Sequence, residues 1–105
     1  MAGKMKITVI KRLSPEAVYG VNVPMDPTNG KEYEICDMFK EGQEFIVENG
    51  EKPANFCTWA WHDIYKDLSV LLFGGNFPWV GTGFMYTCCT DGRRPVIFKL
   101  ERLKE

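Results

Sequence analysis

The sequence predicts an α+β fold, in which a small, mostly antiparallel sheet of about four or five strands carries one long helix packed across it. Three observations predict this fold. Residues 5–13 alternate like a strand, residues from about 58 to 73 repeat their apolar side chains every three or four positions, and residues from about 84 to 103 have the pattern of a β-hairpin. We expect all 105 residues to form a single domain.

The first element is the predicted strand 5–13. Met5, Ile7 and Val9 lie on one side of it, and β-branched residues occur throughout. Alternation with a period of two is typical of a strand with one buried face.

A short helix is predicted next, with Ser14 as its N-cap, Pro15 in its first turn and Gly20 at its end. The segment that follows contains two prolines and the pair Asn29-Gly30. This composition predicts a turn at that pair and little regular structure around it.

A second strand is predicted within residues 42–48, with Phe45 and Val47 buried. The long helix then begins with Thr58 as its expected N-cap and ends at Gly74. Its predicted core stripe consists of Trp61, Ile64, Tyr65, Leu68, Leu71 and Leu72.

The C-terminal hairpin is the strongest strand signal in the chain. Residues 84–90 alternate, Asp91-Gly92 favours a turn, and residues 95–103 return as a second strand. Its expected core residues are Val96, Phe98 and Leu100.

Charge and hydropathy argue against two classes of partner. The net charge is -1, with 13 basic and 14 acidic residues, so the positive field typical of nucleic-acid binding is missing. The longest strongly apolar run, 70–73, is far too short to cross a membrane. We therefore expect no nucleic-acid or membrane partner and a cytoplasmic location, where the four cysteines stay reduced.

The cysteines are the first candidates for chemistry. Cys36, Cys57 and Cys89 come from separate predicted elements, and their thiolates would suit a soft metal ion. Cys88 neighbours Cys89 on a predicted strand, so the two side chains should point to opposite faces. The alternative is that the cysteines are small buried hydrophobic residues without chemistry.

His62 is a further ligand candidate, but it lies five positions after Cys57. Five helical residues turn through about 140°, so the pair shares a site only if the helix begins after Cys57. The same condition applies to a nucleophilic Cys-His pair in a small thiol-dependent enzyme, whose nucleophile would be Cys57 or Cys89. Otherwise His62 is a structural residue near solvent.

Aromatic and basic residues complete the candidate site. Aromatic side chains near glycines are typical of apolar pockets, and the candidates are Trp59, Trp61, Phe77 and Trp79. Alternatively, the loop after the long helix folds back on the core with Phe77 and Trp79 as anchors. Arg93 and Arg94 are candidates for binding an anion, although adjacent arginines at a hairpin tip are usually only solvated.

The side of the long helix opposite its core stripe carries Trp59, Lys66, Val70 and Phe73. Large apolar groups at both ends of this face indicate either covering loops or contact with a second copy of the chain. A homo-oligomer is therefore one expectation.

Three motifs carry a resemblance: Cys-x-Trp-Ala-Trp at 57–61, Gly-Gly-Asn-Phe-Pro-Trp at 74–79 and Cys-Thr-Asp-Gly-x-Arg-Pro-Val at 89–96. With them, nearly the whole chain resembles a family of small uncharacterised proteins from anaerobic bacteria and archaea. The resemblance implies no catalytic residues. It places Cys36, Cys57 and Cys89, rather than Cys88, in the matching segments, and it implies an anaerobic, cytoplasmic setting.

The leading hypothesis is a small domain that binds a small molecule or a soft metal ion through a thiol and aromatic site. It rests on separate segments that each contribute a thiol. The alternatives are the thiol-dependent enzyme and a non-catalytic, homo-oligomeric interaction module.

Overall fold

The computed structural model describes residues 3–103. The main sheet has the strand order β4-β1-β6-β5 with antiparallel neighbours, and β2 pairs with β3 in a separate small sheet. The α+β prediction is confirmed. The elements are β1 Met5–Arg12, α1 Pro15–Tyr19, β2 Met25–Asp26, β3 Lys31–Glu32, β4 Glu44–Val47, α2 Thr58–Leu72, β5 Phe84–Cys88 and β6 Val96–Arg102.

The core lies between one face of the main sheet and helix α2. The alternation predicted for β1 and β6 is confirmed over residues 5–9 and 96–100, where every second residue points into this layer. The fully buried strand residues are Met5, Ile7, Val9, Val47, Val96, Phe98 and Leu100, and those of the helix are Ile64, Leu68 and Leu71.

A cluster of phenylalanines fills the end of the core near the start of α2. Phe39, Phe45, Phe56 and Phe98 have ring centroids 4.9 to 6.0 Å apart, mostly in edge-to-face arrangements. Such pairs contribute about 0.5 to 1.5 kcal/mol each beyond the burial of their area. The cluster therefore fixes the irregular segment around Phe39 against the sheet.

Helix α1 agrees with its predicted caps. The Ser14 side chain accepts a hydrogen bond from the Ala17 amide at 3.1 Å, and Gly20 closes the helix with a φ of 64°. The next segment corrects a prediction. A turn does form around Asn29-Gly30, but it joins the two short strands β2 and β3, so the segment contains regular structure.

Helix α2 begins at Thr58 as predicted, but its N-cap is one residue earlier than expected. Its N-cap is Cys57, not Thr58, because the Cys57 carbonyl accepts the first helical hydrogen bond, from the Trp61 amide at 2.9 Å. The predicted core stripe holds except at Tyr65, whose side chain is exposed, and at Trp61, which is half-buried. At the other end, Gly74 follows the helix with a φ of 92°.

Within residues 3–103 we find no helix with the length and apolar character needed to cross a membrane.

Candidate functional site

A cavity of about 530 Å³ opens where the start of α2 meets two irregular segments. Its size falls within the range of small-molecule sites, about 300 to 1,000 Å³. One wall is the segment 36–39, another is the N-terminal end of α2, and the third is the connection between β5 and β6. The lining residues are Cys36, Asp37, Met38, Phe39, Cys57, Trp59, Ala60, Cys89, Thr90, Asp91, Gly92, Arg93, Arg94 and Val96.

The cavity brings together the three cysteines that were predicted to converge. Cys36, Cys57 and Cys89 each come from a different wall. Cys89 is buried, and Cys36 and Cys57 are half-buried against the core. Cys88 is exposed on the other face of its strand, as expected from the alternation of side chains.

Cys36 lies in a segment without helix or strand, so its position depends on side-chain contacts. The guanidinium of Arg12, at the end of β1, donates a hydrogen bond to the Cys36 carbonyl at 2.9 Å. The same guanidinium binds the Glu41 carboxylate at 3.1 Å, and the Arg12 amide donates to that carboxylate at 2.9 Å. Arg12 thereby ties the Cys36 wall to the sheet.

Cys89 continues the pairing of β5 with β6 by one step. Its amide donates to the Val96 carbonyl at 3.1 Å, and its Sγ accepts from the Val96 amide at 3.3 Å. Burial raises the pKa of the Cys89 thiol, and the Asp91 carboxylate and the Cys36 thiol raise it further, against the backbone amides of Asp91 and Val96, which lower it. Cys89 is therefore held as a neutral thiol at neutral pH, which makes it a weak nucleophile.

A hydrogen-bonded clamp joins the β5–β6 connection to helix α2. The Asp63 carboxylate accepts from the Thr90 amide at 2.7 Å and from the Thr90 hydroxyl at 3.0 Å. The Trp59 indole donates to the same hydroxyl oxygen at 3.2 Å. The clamp holds Trp59 at the rim of the cavity and fixes the distance between two of its walls.

The two arginines of the cavity have different surroundings. Arg93 binds both oxygens of Asp91, at 2.9 and 3.0 Å, and its guanidinium lies 4.7 Å from the Tyr33 ring centroid. Hydrogen bonding to Arg93 lowers the pKa of Asp91, and the same pairing raises the pKa of Arg93. Within residues 3–103 the Arg94 guanidinium makes one hydrogen bond, from Nη1 to the Glu34 carbonyl at 3.2 Å.

The geometry does not support the hypothesis that the site binds a metal ion. Among residues 3–103, no group of three or more His, Cys, Asp or Glu side chains is arranged to hold a metal ion. The three cysteines share a cavity without forming such a group. A soft metal bound by Cys36, Cys57 and Cys89 stays a prediction.

The remaining predicted site residues lie elsewhere. His62 is exposed and does not line the cavity, although α2 does begin after Cys57, as a shared site required. Since His62 is the chain's one histidine, no imidazole stands beside the cavity thiols. Trp61 is also outside the cavity, and it packs between Phe56 and Tyr65 with centroids 6.1 and 5.5 Å away.

Phe77 and Trp79 lie on the loop that follows α2 and do not line the cavity. Their rings contact each other edge to face at 5.5 Å. Phe77 packs against the core, as the alternative prediction of a folded-back loop requires, whereas Trp79 is 76% exposed and anchors nothing there.

The outer face of α2 is uncovered at its apolar ends. Trp59, Val70 and Phe73 are 67%, 40% and 76% exposed. Loops of this chain therefore leave these side chains open to solvent. Contact with a second copy of the chain stays a prediction.

Sequence reasoning missed several residues that shape the cavity. Met38 and Phe39 lie in a segment without periodicity, so nothing in the pattern assigned them to a wall. Asp63 and Thr90 were also missed as a pair, because 27 residues separate them. The one available signal was Thr90 itself, which follows Cys89 inside the third motif.

No family model matches this chain, and no curated protein or solved structure matches it either. The resemblance to small uncharacterised proteins from anaerobes stays a prediction.

Proposed function

We propose that this protein binds a small organic molecule in the cavity lined by Cys36, Cys57 and Cys89. The observation that carries the proposal is that three segments far apart in sequence leave one opening of about 530 Å³ instead of packing shut. Protein interiors usually close such space, and cavities of this size with a few polar groups are typical of ligand sites.

The lining supports a mainly apolar ligand. Phe39, Ala60 and Val96 are buried in the core and present apolar surface to the cavity, and Trp59 adds an aromatic ring at the rim. The sulfur atoms of the cysteines and of Met38 are polarisable, and sulfur contacts aromatic rings favourably. A flat aromatic or conjugated molecule therefore fits this lining best.

The proposal is tested with an uncharged aromatic probe, 2-naphthalenemethanol, on the full chain carrying Cys88→Ser. We expect the probe to shift the amide NMR signals of residues 36–39, 57–60 and 89–96. We also expect it to slow alkylation of Cys57 by N-ethylmaleimide, because a bound ligand shields that half-buried thiol.

Two methionines provide a matched pair of variants. Met38 and Met25 are almost equally exposed, at 54% and 55%, but only Met38 lines the cavity. Met38→Trp should weaken probe binding, and Met25→Trp should leave it unchanged. Equal binding in both variants, or signal shifts spread over the outer face of the sheet, would contradict the proposed site.

A further inference from the structure

We infer that the ligand of this cavity carries an anionic group, a carboxylate or a phosphate, and that Arg94 binds it through the Nε edge of its guanidinium. This inference rests on the proposed function, since it specifies the ligand of the same cavity. It also assigns different roles to Arg93 and Arg94, which the sequence predicted as equivalent anion-binding candidates.

The charged side chains that line the cavity differ in how well they are paired with partners of opposite charge. Two arginines and two carboxylates line it: Arg93, Arg94, Asp37 and Asp91. Asp91 gives both oxygens to the Arg93 side chain, and its Oδ1 also accepts from the Arg93 amide at 3.0 Å. Asp37 is exposed and forms no ion pair within residues 3–103.

Arg94 is left with unused donors. Its Nε is fully buried yet makes no hydrogen bond in the described part of the chain. The nearest carboxylate oxygen, Asp91 Oδ2, is 3.5 Å away and forms an ion-pair contact without a hydrogen bond. That oxygen is already bound by Arg93 Nη2 at 3.0 Å, so the pairing of Asp91 with Arg93 leaves the Nε edge of Arg94 unmatched.

A buried donor without a partner is unfavourable, and more so when it belongs to a charged group. Nε and Nη2 of an arginine together form one side of a planar fork that matches the two oxygens of a carboxylate or phosphate. Because Nε has no accessible surface, an anion satisfies it by taking the place of the Asp91 Oδ2 contact, while the apolar body of the ligand contacts Phe39, Trp59 and Val96. The lining therefore selects an amphipathic ligand with one acidic head.

Arg94 also borders a smaller polar cavity of about 220 Å³, together with Asp26, Glu32 and Glu34. The Glu34 carbonyl holds the Nη1 end of the guanidinium there. This contact holds the Arg94 side chain through Nη1 and does not involve Nε. The nearby carboxylates reduce the positive potential at Arg94, so we expect the preference for an anion to be moderate, on the order of tenfold.

The test compares three ligands that share one ring system: 2-naphthalenemethanol, 2-naphthoate and 2-naphthyl phosphate. Dissociation constants are measured by calorimetry at neutral pH on the full chain. We expect at least one of the two anions to bind about tenfold more tightly than the alcohol. Which anion binds more tightly identifies the head group.

Arg94→Gln should abolish the preference, and Arg94→Lys should reduce it, because lysine keeps the charge but lacks the planar fork. Lys99→Gln is the matched control: it removes one positive charge from β6, outside the cavity, where Lys99 contacts Phe84, and should leave the preference intact. Circular dichroism of each variant shows that it is folded before titration.

The outcomes separate the two proposals. Equal binding of the alcohol and both anions would overturn the inference and leave the proposed function standing. A preference that survives both Arg94→Gln and Arg94→Lys would also overturn it. If none of the three ligands binds the cavity, the proposed function itself fails, and the inference fails with it.

Discussion

The two ends of helix α2 differ in how their surroundings are filled. Both ends carry aromatic side chains and a distinctive motif, and both were predicted to contribute to a site. At the N-terminal end, three distant segments meet and leave a cavity. At the C-terminal end, the loop 73–83 folds onto itself and onto β6, and Gly75, Asn76 and Gly83 form hydrogen bonds within it or with Arg102.

Arg102 organises the C-terminal end. Its guanidinium donates to the Leu71 and Gly75 carbonyls at 2.9 and 2.8 Å and to Asn76 Oδ1 at 2.9 Å. The Asn76 side chain also accepts from the Gly83 amide at 2.8 Å. The Leu71 carbonyl also accepts from the Gly74 amide at 3.1 Å, so Arg102 gives it a second donor and ties the loop to the helix end. The comparison teaches that aromatic content alone does not mark a site: hydrogen bonds hold the loop closed at one end, whereas at the other end a cavity remains and the buried Arg94 Nε has no partner within residues 3–103.

The largest effect is expected from breaking the C-terminal end. Arg102→Ala removes three charge-assisted hydrogen bonds, two of them partly buried, and we expect it to lower the free energy of unfolding by about 3 kcal/mol. Urea denaturation followed by tryptophan fluorescence measures this change.

Lys99→Gln is the control for Arg102→Ala, because Lys99 lies on the same strand but makes only weak contacts, an ion pair with Glu101 at 3.8 Å and a cation–π contact with Phe84 at 5.2 Å. It should change stability by about 0.5 kcal/mol or less. In the folded Arg102→Ala protein, Cys57 should be alkylated at the same rate as in the unchanged protein. Equal stability of the Arg102→Ala and Lys99→Gln proteins would show that Arg102 does not hold this end.

A second effect, about 2 kcal/mol, is expected at the cavity end from Asp63→Ala. This change removes the clamp between α2 and Thr90 and leaves the Thr90 amide without its partner. Unlike Arg102→Ala, it should also speed the alkylation of Cys89, because the wall that buries this thiol loosens. Asp63→Asn keeps one acceptor and should lie between Asp63→Ala and the unchanged protein in both measurements. An unchanged Cys89 alkylation rate in Asp63→Ala would mean that the clamp does not control access to the cavity.

A smaller effect is expected from pH. The folded protein holds the Cys89 proton more tightly than the unfolded chain, whose thiol has its usual pKa of 9.0. The contribution of Cys89 to stability is therefore complete below about pH 9 and is lost as the pH rises through the raised folded-state pKa. We expect the free energy of unfolding, measured at increasing alkaline pH, to fall more for the unchanged protein than for Cys89→Ala. Parallel stability curves for the two proteins would refute the assignment.

The smallest effect is expected from Trp79→Ala. Because Trp79 is 76% exposed, its removal should change the free energy of unfolding by about 0.5 kcal/mol or less. Phe77→Ala, which removes a side chain packed against the core, should cost clearly more in the same assay. Comparable losses from the two variants would indicate that Trp79 is covered in solution, for instance by a second copy of the chain.

Local patterns predicted the elements well where one physical requirement decided them. Alternation placed β1 and β6, since a strand with one buried face has a period of two. Ser14 and Gly20 marked the ends of α1 because a capping hydroxyl and a positive φ are local needs. The errors also have local causes. The start of α2 near Thr58 was predicted correctly, but its N-cap was assigned to Thr58, because Cys57 acts as N-cap without any side-chain hydrogen bond that a pattern could signal.

The candidate site was predicted in part. The cysteines and arginines of the cavity were identified as candidates, but so were His62, Trp61, Phe77 and Trp79, which lie outside it. Residue type and spacing indicate what a side chain is able to do. They do not indicate whether its partners are already supplied by the rest of the chain.

The sequence by itself determined the α+β architecture, the core faces of β1 and β6 and the opposite directions of Cys88 and Cys89, because each follows from the period of a single element. The tertiary structure alone decided that Cys36, Cys57 and Cys89 share a cavity. It also decided that Asp91 binds Arg93 and leaves Arg94 Nε unpaired. Those outcomes depend on contacts between residues distant in the chain and on competition for the same carboxylate, and neither leaves a periodic trace in the sequence.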